Sequence, residues 1–493
     1  MQQWIRGTCF TKACTIHRRH LLPALFASTV LLASAACTSM APKYQQPPMP
    51  VPANWLNEVQ SEGPGSDAPA LAWSAYFRDP VLQQLISTAL GNNRDLRIAA
   101  LHADEARAAF RIQRAEQWPG VGANAQQIRY GLPDAGEALL GTSVLDSKSV
   151  SVGINSWELD LWGRVRSMKH AALQQWLASK AGTRATELAL ISQVADGYLG
   201  LRELDERTEL ARKTVASREE SYRIFKRRFE VGASSKLELT QVETLLTQAQ
   251  SLQAQLQLAR AKQLHALAQL IGADPGPLPQ AAPFDETLVL AELKPGLPSD
   301  LLQARPDIIA AEHQLRAAHA DIGAARAAFF PTISLTGSVG TASSELSGLF
   351  ESGNGTWNFM PALSLPLFTG GKLRANLELS KVRDNIAVAN YEKTVQTAFR
   401  EVADALSARE WLGKQLQVAR VALNAQSERA RLAQLRYDNG SATYLEVLDA
   451  RRDLLSAEQS LVQARRALLS NQVTLYAALG GGSAAPAESH ISR

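Results

Sequence analysis

A turn motif occurs twice in this chain, about 210 residues apart, and the landmarks around the two copies keep step. Arg436-Tyr437-Asp438-Asn439-Gly440 leading to Leu445-Glu446-Val447-Leu448-Asp449-Ala450 answers Arg228-Phe229-Glu230-Val231-Gly232 leading to Leu237-Glu238-Leu239-Thr240-Gln241. Asp95 and Pro119 stand 24 positions apart, as do Asp307 and Pro331, and Gly232–Gly272 and Gly440–Gly480 are both separated by 40. Each copy reads as a tight turn between two long helices, with Gly232 or Gly440 supplying the left-handed stop. Any fold must therefore be built from two similar halves.

Charge lies unevenly. The first 36 residues hold Arg6, Lys12, Arg18 and Arg19 and no acid, so the net charge of +4 resides in that segment. The remainder is neutral, which argues against a nucleic-acid partner. The basic start, the apolar run Leu21–Leu32 and small residues up to Cys37 predict a signal peptide over 1–36. Ser34-Ala35-Ala36-Cys37 resembles a bacterial lipoprotein cleavage box, with Ser34 where Leu is usual; an ordinary leader cut near Ala36 is the alternative. Cys9 and Cys14 leave with the leader, so Cys37 has no partner for a disulfide and is the candidate lipidation site. No other stretch approaches the ~18 apolar residues of a membrane helix. A crossing, if made, is made with strands.

Residues 37–94 read as lipid anchor, proline-rich tether (Pro47, Pro48, Pro50, Pro52) and short equatorial helices. The first repeat is assigned to 95–272 and the second to 307–480, each a helix, two strands and a long helical hairpin. An irregular inter-repeat segment, 273–306, joins them, and 481–493 reads as a disordered tail. In the first repeat a helix over Asp95–Gln117 ends at Trp118-Pro119. Strands are predicted over Val121–Tyr130 and Lys148–Leu159, where Val150, Val152 and Ile154 alternate with Ser149, Ser151 and Asn155. The second repeat alternates Ile333, Leu335 and Val339 with Thr332, Ser334, Thr336 and Ser338, then Trp357, Phe359, Leu363 and Leu365 with Asn358 and Ser364. One face is apolar and the other small or polar, as in strands wetted on one side.

No proline falls between Gly163 and Pro275, so Arg164–Arg228 can be one helix about 100 Å long. The return limb, Ser235–Ile271, is shorter, and the Asp95–Gln117 helix stacked on it would match the long limb. Heptad seams run through Val242, Leu245, Ala249, Leu252, Leu256 and Ala259, and through Val447, Ala450, Leu454, Ala457, Leu461, Ala464 and Leu468. Four strands cannot close a barrel, and open edges are not tolerated in lipid, so a membrane role forces oligomerisation. Three chains would supply twelve strands.

With these elements placed, the sequence resembles the TolC-like outer-membrane efflux factors, in particular the lipoprotein branch serving RND-type pumps. The carriers are Trp73-Ser74-Ala75-Tyr76-Phe77-Arg78-Asp79-Pro80, Trp157-Glu158-Leu159-Asp160-Leu161-Trp162-Gly163-Arg164, Ala304-Arg305-Pro306-Asp307, Phe329-Phe330-Pro331 and the second turn motif. The resemblance implies a mixed α/β membrane protein: a homotrimer with a 12-stranded outer-membrane β-barrel on an α-helical barrel of coiled-coil hairpins. It implies an outer-membrane channel for small molecules, gated at the periplasmic helix tips. Its partners would be a periplasmic adaptor (membrane fusion) protein, an inner-membrane RND-type transporter and outer-membrane lipid. No cofactor is implied. It places a gating tyrosine at Tyr437, a constricting apolar residue at Leu445 and acidic ring positions at Glu446 and Asp449. Arg436 and Arg452 match positions linking neighbouring helices, Glu238 matches a partner of the tyrosine, and the turns at Gly232 and Gly440 would dock the adaptor. Ala442 stands where some members carry arginine.

Two other classes share some of these features. A soluble periplasmic coiled-coil adaptor also uses long hairpins, yet would not need duplicated wet-faced strand pairs. An enzyme is disfavoured: His313 and His319 lie six apart, near Glu312 and Asp307, and six does not align two metal ligands on a helix as four does.

Overall fold

The computed structural model describes residues 39–55, 66–134, 141, 143–276, 278, 284–289, 293–294 and 296–483. The expected signal peptide, Cys37 and residues 484–493 lie outside them. In chain order the main elements are α1 (Pro80–Asn92), α2 (Arg94–Ala115), β1 (Val121–Gly131), β2 (Val144–Leu159), α3 (Arg164–Glu230) and α4 (Lys236–Ile271). The second half supplies α5 (Pro306–Ala327), β3 (Thr332–Ser343), β4 (Gly355–Ser364), α6 (Lys372–Asp438) and α7 (Tyr444–Ala478). Helix α3 and helix α6 each run for 67 residues, which is about 100 Å at 1.5 Å per residue. Among the described residues no helix is long and apolar enough to cross a membrane.

The chain divides into two compact units. The first comprises residues up to Gln45 with Ala106–Gln175 and Gln314–Ala387. Its centre is an antiparallel sheet in the order β1-β2-β3-β4, where β2 and β3 join the two repeats. The register puts Ala123, Val152, Val339 and Trp357 in one row, and Val121, Ile154, Gly337 and Phe359 in another. Ile333 and Leu363 extend the same face, because side chains alternate along a strand. That face is bare: Trp357, Phe359 and Leu363 are 79%, 61% and 67% exposed. The opposite face carries Asn124, Ser151, Ser338 and Asn358. Strand β2 starts earlier than expected, at Val144, and its alternation breaks at a bulge between Ile154 and Trp157. There Ser156 adopts φ 47° and its N–H donates to Thr336 Oγ1 at 3.1 Å.

Where β2 passes into α3, the aromatic-acidic motif works as a joint. Asp160 accepts from the N–H groups of Val165 and Arg166 at 3.2 and 2.9 Å, closing the exposed start of α3. Glu158 pairs with Arg164 at 2.6 Å. Trp162 stacks on Phe330 at 4.8 Å and donates to the Pro331 carbonyl, tying the joint to the start of β3. The segment from Ser39 is seated in this unit. A Cβ on Gly323 would lie 2.8 Å from Ala41 and from Ser167 Oγ, so only glycine lets the segment approach α5. Tyr44 meets His319 edge-on at 5.9 Å, and His319 Nδ1 lies 3.3 Å from Asp384 Oδ1.

The second unit comprises Gln46–Glu105, Trp176–His313 and the chain from Val388. Tyr76 stacks on Tyr476 at 4.3 Å, and its hydroxyl donates to the Gln472 carbonyl. Tyr198 donates to Asp79 at 2.6 Å, while Asp79 also caps α1 through Val81 N–H. Arg305 holds Asp307, Glu401 and the Ala478 carbonyl together. The heptad seams hold in part. Val242, Ala249, Leu256, Val447 and Ala450 are buried, but further along α7 burial passes from the expected Leu461 and Leu468 to Val462 and Leu469. A straight helix drifts against a seven-residue repeat, which moves the buried stripe by one position. Gly481–Ser483 correct the expected disordered tail: Gly481 is buried against Tyr476, and Gly482 N–H donates to the Ala68 carbonyl.

Replacing Gly323 with valine should unseat the segment around Ala41. Trypsin should then cut after Lys43 faster than in the unsubstituted protein, as read by mass spectrometry of intact chains. An unchanged cleavage rate would contradict the seat.

Candidate functional site at the hairpin tips

Both tips close in the same way. Ala233 N–H donates to the Arg228 carbonyl at 2.7 Å, and Ser441 N–H to the Arg436 carbonyl at 2.8 Å. Gly232 and Gly440 sit at φ 75° and 74°. This is the left-handed stop in which a six-to-one bond satisfies an orphan carbonyl of the last helical turn. The turns are duplicates in backbone, and they differ in what their side chains do.

Counted from the turn glycine, Glu238 and Glu446 are the same position, as are Arg228 and Arg436, Phe229 and Tyr437, and Leu237 and Leu445. In the first hairpin Glu238 completes a capping box, accepting from the Ser235 N–H at 2.9 Å and from the Ser234 hydroxyl at 2.7 Å. The Ser235 N–H, followed by the serine hydroxyls, holds its carboxyl below the usual range. In the second hairpin Thr443 makes no side-chain cap, and Glu446 pairs instead with Arg436 across the turn. The Tyr437 hydroxyl accepts from Arg228 Nη1 at 2.7 Å. Among the described residues the implied link between Glu238 and the tyrosine is not made within the chain, where Glu238 Oε2 serves the capping box. Arg452 lies 3.3 Å from Asp449 one helical turn away and 3.1 Å from Asp453. Arg429 also reaches Asp453, and hydrogen bonds from the two arginines hold that carboxyl low. Leu445 is 44% exposed, with nothing in its own chain to cover it fully. At the positions of Asp449 and Arg452 the first hairpin carries Gln241 and Thr244, so the charged pair belongs to the second hairpin alone.

Just above the turns the two hairpins are joined. Tyr444 lies 4.6 Å from Phe225 and 5.0 Å from Tyr437, and its hydroxyl meets Ser221 Oγ at 2.6 Å. Leu239, Val242 and Leu448 surround Phe225, while Val447 and Ala450 pack on Ala430 and Ala433. Arg451 donates to Ser217 Oγ at 3.0 Å. Arg218 is buried, gives one Nη2 hydrogen bond to the Leu448 carbonyl at 3.3 Å and leaves Nη1 without a partner. Burial pushes its pKa down.

The chain matches the family described as outer membrane efflux protein over residues 85–273 and 297–481. It belongs to that family.

It is similar to the toluene efflux pump outer membrane protein TtgF of Pseudomonas putida, 44% identical over 470 residues that cover 93% of this chain and 96% of that protein. A membrane protein of known structure from Pseudomonas aeruginosa is 40% identical and superposes with a TM-score of 0.86, covering 92% of this chain and all of that one. The open state of the Neisseria gonorrhoeae MtrE outer membrane channel gives 0.83 at 40% identity, over 90% of this chain and 99% of that one. As in these TolC-like channels, an outer membrane efflux protein combines long helices with a four-stranded sheet.

Sequence reasoning missed Ser221, Phe225, Arg228, Tyr444 and Arg218. Their spacing did carry a signal: 217, 221, 225 and 228 form one stripe on α3, and 444, 448 and 451 form one on α7. The signal was overlooked because polar members interrupt both stripes.

Replacing Tyr444 with phenylalanine keeps the ring and removes the bond to Ser221, at a cost of about 1 kcal/mol. Amide exchange at the tips should speed up, and adding Ser221→Ala should add little more. Arg218→Met should leave tip exchange unchanged or slower, since it removes an unpaired buried N–H. Additive losses, or faster exchange in Arg218→Met, would contradict this account.

Proposed function

We propose that this efflux protein is the outer-membrane channel of a tripartite pump. On this reading three copies close their sheets into one twelve-stranded barrel and gather their long helices into a periplasmic duct gated at the tips. The observation that carries the reading is the four-stranded sheet itself. Its apolar face is exposed, and among the described residues β1 and β4 each have one unpaired edge. In hydrocarbon every backbone polar group needs a partner, so the edges must be closed by other copies. Further support comes from α6, where Trp411, Val418, Leu432 and Leu435 stay exposed at coiled-coil spacing within a single chain.

At the gate, Asp449 repeated around a threefold axis would form an anionic collar, and Arg452 beside it would moderate the repulsion. Leu445 would supply the constriction, and Tyr437, held by Arg228, would fix the second hairpin against the first. The Arg436–Glu446 bridge would stiffen the turn that carries them. The turns at Gly232 and Gly440 would meet a periplasmic adaptor, and the adaptor an inner-membrane RND-type transporter. Cys37, two residues before the seated segment, would carry the acyl anchor. The relative named for toluene suggests small apolar compounds as cargo, with selection made by the transporter.

Asp449→Ala combined with Arg452→Ala should raise single-channel conductance in planar bilayers, because it removes the charged pair that faces the axis on this reading. A conductance equal to that of the unsubstituted channel would overturn the gate assignment.

A further inference from the structure

The bare apolar face of the sheet ends in a charged cluster on the same side. Side chains of Val150, Val152 and Ile154 share their face of β2 with Lys148 and Asp146, two and four positions before Val150. On β1, Ala125 is opposite Val150, Gln127 opposite Lys148 and Arg129 opposite Asp146. Resting on the outer-membrane reading above, this face meets lipid. The run from Val150 to Leu159, tilted as barrel strands are, covers roughly the 25 Å apolar band of an outer-membrane barrel. Lys148, Asp146, Gln127 and Arg129 then stand at headgroup depth, next to the β1–β2 connection and away from the strand ends that continue into helices.

Asp146 is saturated. Gln127 Nε2 donates to its Oδ1 and Oδ2 at 2.9 and 3.1 Å, Arg129 Nε to Oδ2 at 2.9 Å and Lys148 Nζ to Oδ2 at 3.1 Å. Lys148 Nζ donates a second time, to the Ser344 carbonyl at 2.7 Å. One carboxylate oxygen thus holds a guanidinium and an ammonium side by side, with a net charge of one. Arg129 is 68% exposed, and Nε is the only donor it uses among the described residues. Among the described residues its two Nη groups meet no acceptor, which leaves their N–H donors open to an oxyanion. A guanidinium fork whose stem is fixed by a cross-strand pair is pre-organised for a planar or tetrahedral oxyanion.

We propose that Arg129, positioned by Asp146 and assisted by Lys148, binds an anionic phosphate monoester of a lipid headgroup in the outer leaflet, one that no cation of the same headgroup neutralises. The carboxylate sets the two cations at one spacing and leaves one positive charge in excess. The lipid's acyl chains lie along the apolar face that carries Val150, Val152 and Ile154, so headgroup and tail are read together.

The test uses the full-length protein in detergent micelles doped with lipid A, which carries phosphate groups. The comparisons are micelles doped with phosphatidylcholine, whose phosphate is a diester neutralised by its own choline, and inorganic phosphate without lipid. The unsubstituted protein should show a higher thermal midpoint with lipid A alone. Arg129→Gln should weaken the lipid A response about tenfold, the effect of losing one cation at a membrane surface with its charge-assisted hydrogen bonds. Arg129→Lys should keep part of the response, and Asp146→Asn should weaken it while retaining both cations. An Arg129→Gln protein that responds like the unsubstituted one would overturn the proposal. An equal response to phosphatidylcholine, or to inorganic phosphate alone, would overturn it too. Conductance in planar bilayers separates the two readings: an Arg129→Gln protein that conducts but keeps lipid A binding sinks this inference only. A protein that never forms channels sinks the outer-membrane reading beneath it.

Discussion

Backbone hydrogen bonding in a medium without water is the constraint on which the structure depends. Strands β2 and β3 satisfy both edges inside the chain, whereas β1 and β4 satisfy one edge each. A soluble protein would cover such edges or blunt them with charge. Here the sheet instead offers Trp357, Phe359 and Leu363 outward on an edge strand exposed along its whole length. Such a surface is an aggregation hazard in water and an asset in lipid, where, on the reading proposed above, apolar side chains would face the tails and copies of the chain would complete the ladder.

The second theme is a duplication that kept its backbone and changed its side chains. The two tip turns use the same six-to-one bond and the same glycine conformation. Yet Glu238 spends its carboxylate on capping its own helix, and Glu446 spends the equivalent one on Arg436. The first hairpin is thereby self-contained. In the second, Thr443 makes no side-chain cap, and Asp449 and Arg452 stand where the first hairpin has neutral residues. Tyr444 and Ser221 tie the two hairpins together a turn above.

Much of this was legible in the sequence because it is local. The absence of proline licensed α3 at nearly its observed length, and period-two alternation located β2, β3 and β4. The tip glycines announced their own conformation. What the sequence withheld depends on neighbours distant along the chain. The bulge at Ser156 reflects pairing with β3, and the glycine at 323 answers to Ala41 almost three hundred residues earlier. A partnership of Tyr437 and Glu238 is implied by the family resemblance; within the chain Glu238 serves a capping box set by the four residues Ser235–Glu238, and Arg228 meets Tyr437. Heptad reasoning found the seams but not their drift, because it assumes a partner that follows the supercoil perfectly.

The most direct test of the central claim is amide hydrogen exchange of the detergent-solubilised protein, read strand by strand. If copies of the chain close the sheet, amides on the outer edges of β1 and β4 are protected as strongly as those of β2 and β3. A chain that stands alone exchanges both edges rapidly while its inner strands stay protected, and that pattern would contradict the account.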